Sequence, residues 1–227
     1  MEYQLVAVPD ATMLASRSAA FVAERARTSV AHHGRFTFAV SGGKTPWAMF
    51  AELGSHDFPW SAVQIFQVDE RVAPDGDPDR NLTHLRESLG HSDPEVVAMP
   101  VEGPDLESAA AAYAKRLPDH FDLVHLGLGP DGHTASLVPG DPVLEVADRL
   151  VAVTEPYQGH RRMTLTYPAL ARAEEILWLI SGEDKREALS RLLAGDQSIP
   201  AGRVEARHST ILADAAAAPE AERGAPE

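Results

Sequence analysis

Short apolar runs of strand length recur along this chain, and most are followed by a stretch with helical periodicity; no other feature restricts the possible folds as strongly. Residues 5–8 form the first run, and 11–30 an Ala- and Arg-bearing amphipathic stretch that leads into a second run at 36–40. That is one β-α-β unit. The pattern continues with a helix at 47–53, a strand at 63–68, a helix beginning near Asn81, a helix at 106–117 and a strong strand at 122–128. Further strands are expected at 150–153, 163–166, 176–180 and 210–212, with a helix at 185–193. Alternation of this kind predicts an α/β fold, a three-layer α/β/α arrangement with a mostly parallel, Rossmann-like central sheet. At 227 residues with 44% hydrophobic content the chain suits one large domain. That domain is expected to span residues 1–213. Residues 214–227, rich in Ala, Pro and Glu, read as a disordered tail.

Ligands of parallel α/β sheets bind beyond the carboxyl ends of the strands, so the residues just after each strand carry the most weight. Ser41-Gly42-Gly43-Lys44-Thr45-Pro46 follows a strand and opens a helix. Its glycines and exposed N–H groups suit a phosphate cradle, with Pro46 at the first helical position. It is not a nucleotide P-loop, because the first glycine of that motif would fall on Phe38. Next, Val68-Asp69-Glu70-Arg71 sets two carboxylates and a guanidinium at a strand end, where Arg71 can fork onto a phosphate or onto Asp69. A purely structural ion pair is the competing reading. Asn81 is a candidate cap for the helix it opens. The acidic residues between them lack the twelfth-position Glu of a calcium loop.

The segment Gly127-Leu128-Gly129-Pro130-Asp131-Gly132-His133-Thr134 contains a literal G-x-G-x-x-G. A dinucleotide site is rejected, since Asp131 would meet the pyrophosphate and the motif does not open the first β-α-β unit. What the segment offers is an imidazole on a glycine-rich turn with Asp131 two residues away, a set suited to acid-base chemistry near neutral pH. His32, His33, His91 and His120 read as surface residues. No G-x-S-x-G elbow supports a serine nucleophile, and no His pair has zinc spacing, so no catalytic metal is expected. Basic residues return at His160-Arg161-Arg162 and at Lys185, either of which can complete an anion pocket.

Taken together, Ser41 through Pro46, Asp69-Glu70-Arg71 with Asn81, Gly127 through Leu137, and Arg162-Met163-Thr164 with Gly182 and Lys185 resemble the 6-phosphogluconolactonase family. That family belongs to the glucosamine-6-phosphate isomerase/deaminase-like superfamily. The resemblance spans about residues 3–213. In the related deaminases the Asp-Gly-His segment continues into a Glu-containing stretch, whereas this chain reads Thr134-Ala135-Ser136-Leu137. The resemblance implies hydrolysis of 6-phospho-D-glucono-1,5-lactone without a cofactor. It places Ser41, Gly42, Gly43, Lys44, Thr45, Arg71, Arg162 and Lys185 around the phosphate and makes His133 the base that activates water. Asp131 or Asp69 would orient His133, and N–H groups of the turn at Gly129 and Gly132 would hold the oxyanion. The alternatives are an amino-sugar phosphate deaminase or isomerase on the same scaffold, and a non-catalytic sugar-phosphate sensor.

Composition excludes other classes. With 34 acidic against 20 basic residues the formal net charge is -14, which disfavours polyanionic partners such as nucleic acid. The chain contains no cysteine, which excludes disulfides and thiolate sites. No apolar run approaches the roughly 20 residues needed to span a bilayer, so no membrane partner is expected, and a cytoplasmic monomer or homodimer is the expected form.

Overall fold

A computed structural model describes residues 3–219. Seven strands form one parallel sheet: β1 (Gln4–Val8), β2 (Phe36–Val40), β3 (Val63–Gln67), β5 (Glu95–Val97), β6 (Phe121–Leu126), β9 (Ala173–Ile180) and β10 (His208–Asp214), in the order β1-β10-β9-β6-β2-β3-β5. Most of these strands are buried on both faces, as helix-covered parallel strands require. Three helices cover one face: α1 (Ala11–His33), α2 (Lys44–Leu53) and α3 (Asn81–Leu89), whose Leu14, Phe50 and Leu85 join Phe38 and Leu123 in one core. On the other face α4 (Leu106–Ala114), the short α5 (Tyr167–Leu170) and α6 (Arg186–Leu193) pack with Phe66, Val124 and Trp178 in a second core. Each such fully buried side chain contributes about 1.5–3 kcal/mol relative to exposure.

The expected layers are present, with two differences of detail. Neither β5 nor the strand at Asp69–Arg71, read from sequence as the start of a loop, was anticipated; three residues are too few to display a period. The runs expected at 150–153 and 163–166 do not enter the central sheet. They form β7 (Val151–Val153) and β8 (Arg162–Leu165), which pair antiparallel with each other and with β4 (Asp69–Arg71) in a separate three-stranded sheet ordered β4-β8-β7. The reason is length: only residues 154–161 separate the two strands, whereas a parallel crossover needs about a dozen or more residues.

The strand order places the site. From β2 the chain moves outward through β3 to β5, then returns with β6 on the other side of β2 and moves outward again through β9. The gap between β2 and β6 is therefore the topological switch point, and the loops after those two strands diverge over it. Ser41 follows β2 and Gly127 follows β6, so the two glycine-rich loops singled out in the sequence face each other there. The Ser41 amide donates to the His125 carbonyl at 3.3 Å, tying them at the base.

The C-terminal boundary also differs from expectation. Asp214 is the last residue of β10, and Ala217 and Ala218 are fully buried, so residues 214–219 pack against the sheet and are not a free tail. Short alanines fill the space left there, and composition alone does not report that fit. Asp214 accepts hydrogen bonds from Ser181 Oγ at 2.5 Å and from the Gly182 amide at 3.1 Å. The rest of the expected tail, residues 220–227, lies outside the described residues.

Candidate active site

A cleft of about 580 Å³ opens over the switch point, and Ser41, Gly42, Gly43, Lys44, Thr45, Asp69, Arg71, Gly129, His133, Arg162 and Lys185 all line it. Residues from four separate loops and both sheets meet in one place. Of the residues named from sequence, Asp131 and Gly132 do not line the cleft, and Asp131 contacts it through the His133 ring.

His133 Nδ1 lies 2.5 Å from Asp131 Oδ1, which also accepts from the His133 amide at 3.1 Å. Partial burial pushes the Asp131 carboxyl up, but the hydrogen bonds and charge of His133 outweigh it and hold the group below the ordinary carboxylate range. Gly129 makes the pair possible, since a Cβ there would come within 2.0 Å of His133 Nδ1 and 2.7 Å of Asp131 Oδ1. The question left open by sequence, which carboxylate holds the ring, has a geometric answer: Asp131, not Asp69.

Gly129 and Gly132 do not fill the oxyanion role expected of them. The Gly129 amide donates to the His133 carbonyl at 2.8 Å and the Gly132 amide to the Gly129 carbonyl at 3.0 Å. Both N–H groups close the turn on itself and are not directed into the cleft.

Asp69 accepts from Ser136 Oγ at 2.7 Å, and Asn81 Nδ2 donates to its backbone carbonyl at 3.0 Å. Burial pushes the Asp69 carboxyl up; the Ser136 hydrogen bond and the charges of Arg71 and Arg162 only partly oppose this. Asn81 is not the cap of α3. It is the first helical residue, and its side chain is turned to Asp69 and lies under Gly42, where a Cβ would fall 1.9 Å from Asn81 Oδ1. The capping acceptor is Glu70, which takes the amides of Asn81 at 2.8 Å and Leu82 at 2.9 Å while Arg80 Nε stands 3.1 Å away.

Arg71 and Arg162 face each other across the antiparallel pair of β4 and β8. Like charges directly opposite one another destabilise a sheet, so this placement calls for an anion between them. Arg71 Nη1 donates to the Asp79 carbonyl at 2.7 Å and Arg162 Nη2 to Gln158 Oε1 at 3.3 Å, but the buried Nε of each finds no hydrogen-bond partner among the described residues. Burial, the larger influence, lowers the Arg162 pKa against the raising effect of Asp69. Across the cleft, Lys44 and Thr45 form the first turn of α2, whose N–H groups have no intrahelical acceptor. The helix thus begins three residues before the expected 47, and Pro46 is its third residue, a position where a missing N–H still breaks no helix bond. Lys185 completes the wall, its Nζ 2.9 Å from Asp184 Oδ2.

Two further residues, neither read from sequence, bear on His133 and the base of the cleft. His125, within β6, is fully buried; burial depresses its pKa to about 3, and neither ring nitrogen has a hydrogen-bond partner among the described residues. Its imidazole is therefore neutral across the ordinary pH range. A histidine inside an apolar run was the available signal. The other is Tyr157, whose ring packs against His133 with centroids 5.8 Å apart; it sits in a loop that carries no motif.

Fold and site together define an α/β protein with a cationic, glycine-lined cleft at its switch point and a carboxylate-paired imidazole on the rim. The chain belongs to the glucosamine-6-phosphate isomerase/6-phosphogluconolactonase family, whose model matches residues 9–213. Among curated relatives, a 6-phosphogluconolactonase of Nostoc sp. is 32% identical over 238 residues, covering 97% of this chain and 99% of that protein. Among solved structures, a 6-phosphogluconolactonase of Thermotoga maritima superposes with a TM-score of 0.85 at 26% identity, over 94% of this chain and 100% of the other. A monomeric glucosamine-6-phosphate deaminase superposes with a TM-score of 0.83 at 18% identity, over 97% and 100% of the two chains, a likeness of fold alone. No helix among the described residues is long and apolar enough to cross a membrane.

Proposed function

We propose that this chain hydrolyses 6-phospho-D-glucono-1,5-lactone to 6-phospho-D-gluconate, the second step of the oxidative pentose phosphate pathway. The observation that carries the proposal is the His133–Asp131 pair, 2.5 Å apart, on the rim of a cleft that Arg71 and Arg162 also line. The relatives named 6-phosphogluconolactonase support the same reading.

In this mechanism the phosphate sits between Arg71 and Arg162 and the first turn of α2, where Ser41, Gly42, Gly43, Lys44 and Thr45 surround it and Lys185 adds charge. Binding energy from the phosphate, remote from the reacting carbon, fixes the lactone carbonyl beside His133. Asp131 accepts a hydrogen bond from His133 Nδ1–H, which keeps that proton on Nδ1 and leaves Nε2 as the base. Nε2 takes a proton from water as its oxygen attacks C1. The imidazolium then returns a proton to the ring oxygen as the C1–O5 bond breaks, and the free acid ionises. Asp69 serves the phosphate wall by balancing the two guanidiniums. A cytoplasmic setting is part of the same proposal, and sedimentation of the purified chain decides between the two expected forms, monomer and homodimer.

The test is a coupled assay with freshly prepared lactone, corrected for spontaneous opening. His133→Ala is expected to lose about 10²–10⁴-fold in kcat, while 6-phosphogluconate still binds. Unchanged turnover removes His133 from the role of base. Faster ammonia release from glucosamine 6-phosphate than lactone opening overturns the proposal.

A further inference from the structure

The hairpin that joins β7 to β8 ends in the turn Tyr157-Gln158-Gly159-His160, closed by reciprocal hydrogen bonds between Tyr157 and His160 at 2.9 and 3.3 Å. Both central residues have positive φ, +49° at Gln158 and +87° at Gly159, as a mirror-image type I turn demands. Asn or Gly is the favoured residue at the first of these positions; Gln is strained there. His160 pins the turn from outside, its Nε2 3.0 Å from Asp79 Oδ2.

The strained residue lines the cleft, and its neighbour Tyr157 packs against two residues that line it. Gln158 lines it and accepts from Arg162 Nη2 at 3.3 Å through Oε1, while its Nε2 donates to the Tyr157 hydroxyl at 3.4 Å. The Arg162 guanidinium carbon stands 5.1 Å from the centre of the Tyr157 ring, within cation–π range. The same ring meets the His133 imidazole at 5.8 Å and an interplanar angle of 66°, an edge contact. One aromatic ring therefore touches both the cation on the anion wall and the imidazole on the rim.

We propose that Tyr157 is a positioning residue that couples Arg162 to His133, so that an anion held by Arg162 also sets the imidazole, with Gln158 fixing the guanidinium through its own hydrogen bond. An anion drawing Arg162 toward it changes the packing of the ring, and His133 is the ring's other neighbour. The strain at Gln158 is retained because only a side chain with an acceptor at that reach can bond Arg162 from this turn. The kinetic arm of the test rests on the lactonase reading; the other two arms do not.

Tyr157→Leu removes the ring and Tyr157→Phe keeps it. Calorimetry with inorganic phosphate is expected to show about fivefold weaker binding in Tyr157→Leu and no more than about twofold in Tyr157→Phe. The His133 Cε1–H resonance, assigned by its loss in His133→Gln, is expected to move on phosphate addition in the wild type and in Tyr157→Phe, but not in Tyr157→Leu. With lactone, Tyr157→Leu is expected to lose about tenfold in kcat as well as raising KM, a split that lost phosphate contact alone would not give. Wild-type phosphate affinity together with a wild-type resonance response in Tyr157→Leu overturns the coupling, whether or not the lactone is turned over. Gln158→Gly supplies a second variant that relieves the turn: a raised Tm with weaker phosphate binding supports the role given to Gln158, and a raised Tm with unchanged binding refutes it.

Discussion

Asp69 and Glu70 are adjacent in a three-residue strand, both carboxylates are buried, and their surroundings differ completely. Successive side chains of a strand point to opposite faces. Glu70 turns inward and accepts from Gln67 Nε2, from the amides of Arg71, Asn81 and Leu82, and stands against the buried Arg80 guanidinium. Asp69 turns to the cleft, with Ser136 as its closest donor and two incompletely bonded arginines nearby. The difference separates a charge that builds the fold from one that is kept available. A buried carboxylate ringed by backbone donors fixes a helix start, while one facing cations with open donors marks where a ligand belongs.

This comparison can be broken most forcefully at Glu70. Glu70→Gln places an amide NH₂ among donors and leaves the buried Arg80 with the exposed Glu102 carboxylate, 3.1 Å away, as its counter-charge, so unfolding by denaturant is expected to show a loss of about 3 kcal/mol. A loss below about 1 kcal/mol, the range of exposed pairs, would erase the contrast. Arg162→Ala should act on the other side of it. Stability changes little, while kcat/KM falls by the equivalent of about 1.5–3 kcal/mol, with KM raised by the lost phosphate contact and kcat lowered by the lost coupling through Tyr157. An unchanged KM would place the phosphate elsewhere.

The smallest expected effect is at Asp69→Asn, and its sign depends on pH. Burial raises the pKa of Asp69 in the folded protein, so the folded state holds this proton more tightly than the unfolded chain. Ionisation therefore weakens the fold progressively as pH rises from the unfolded value toward the folded one, and Asn removes that penalty. The Tm difference between Asp69→Asn and the wild type should grow in favour of the variant from pH 4 to pH 7. A difference independent of pH would mean that Arg71 and Arg162 fully compensate the charge.

The sequence made the parallel sheet legible because strand-length apolar runs and helical periods alternate, and the switch-point rule then singled out both glycine loops. The cleft residues His133, Arg71, Arg162 and Lys185 were legible because each follows or flanks a strand. What was not legible depends on long-range partners. Nothing local distinguishes Glu70 from Asp69 as the capping residue, since the amides it accepts lie 11 and 12 residues ahead. The oxyanion assignment to Gly129 and Gly132 failed because a glycine-rich turn satisfies its own N–H groups, which composition does not reveal. The antiparallel sheet was within reach: the short spacing between the runs at 150–153 and 163–166 already ruled out a parallel crossover.

The carboxylate at the end of β10 reaches back to Ser181 and Gly182, three residues before Lys185. The family match ends at residue 213, one position short of it. A boundary drawn by similarity would thus cut through the strut that sets one cationic wall of the cleft. Among the described residues the last strand, held between β1 and β9, also braces a loop of the site, and the end of the family match is not the end of the working part.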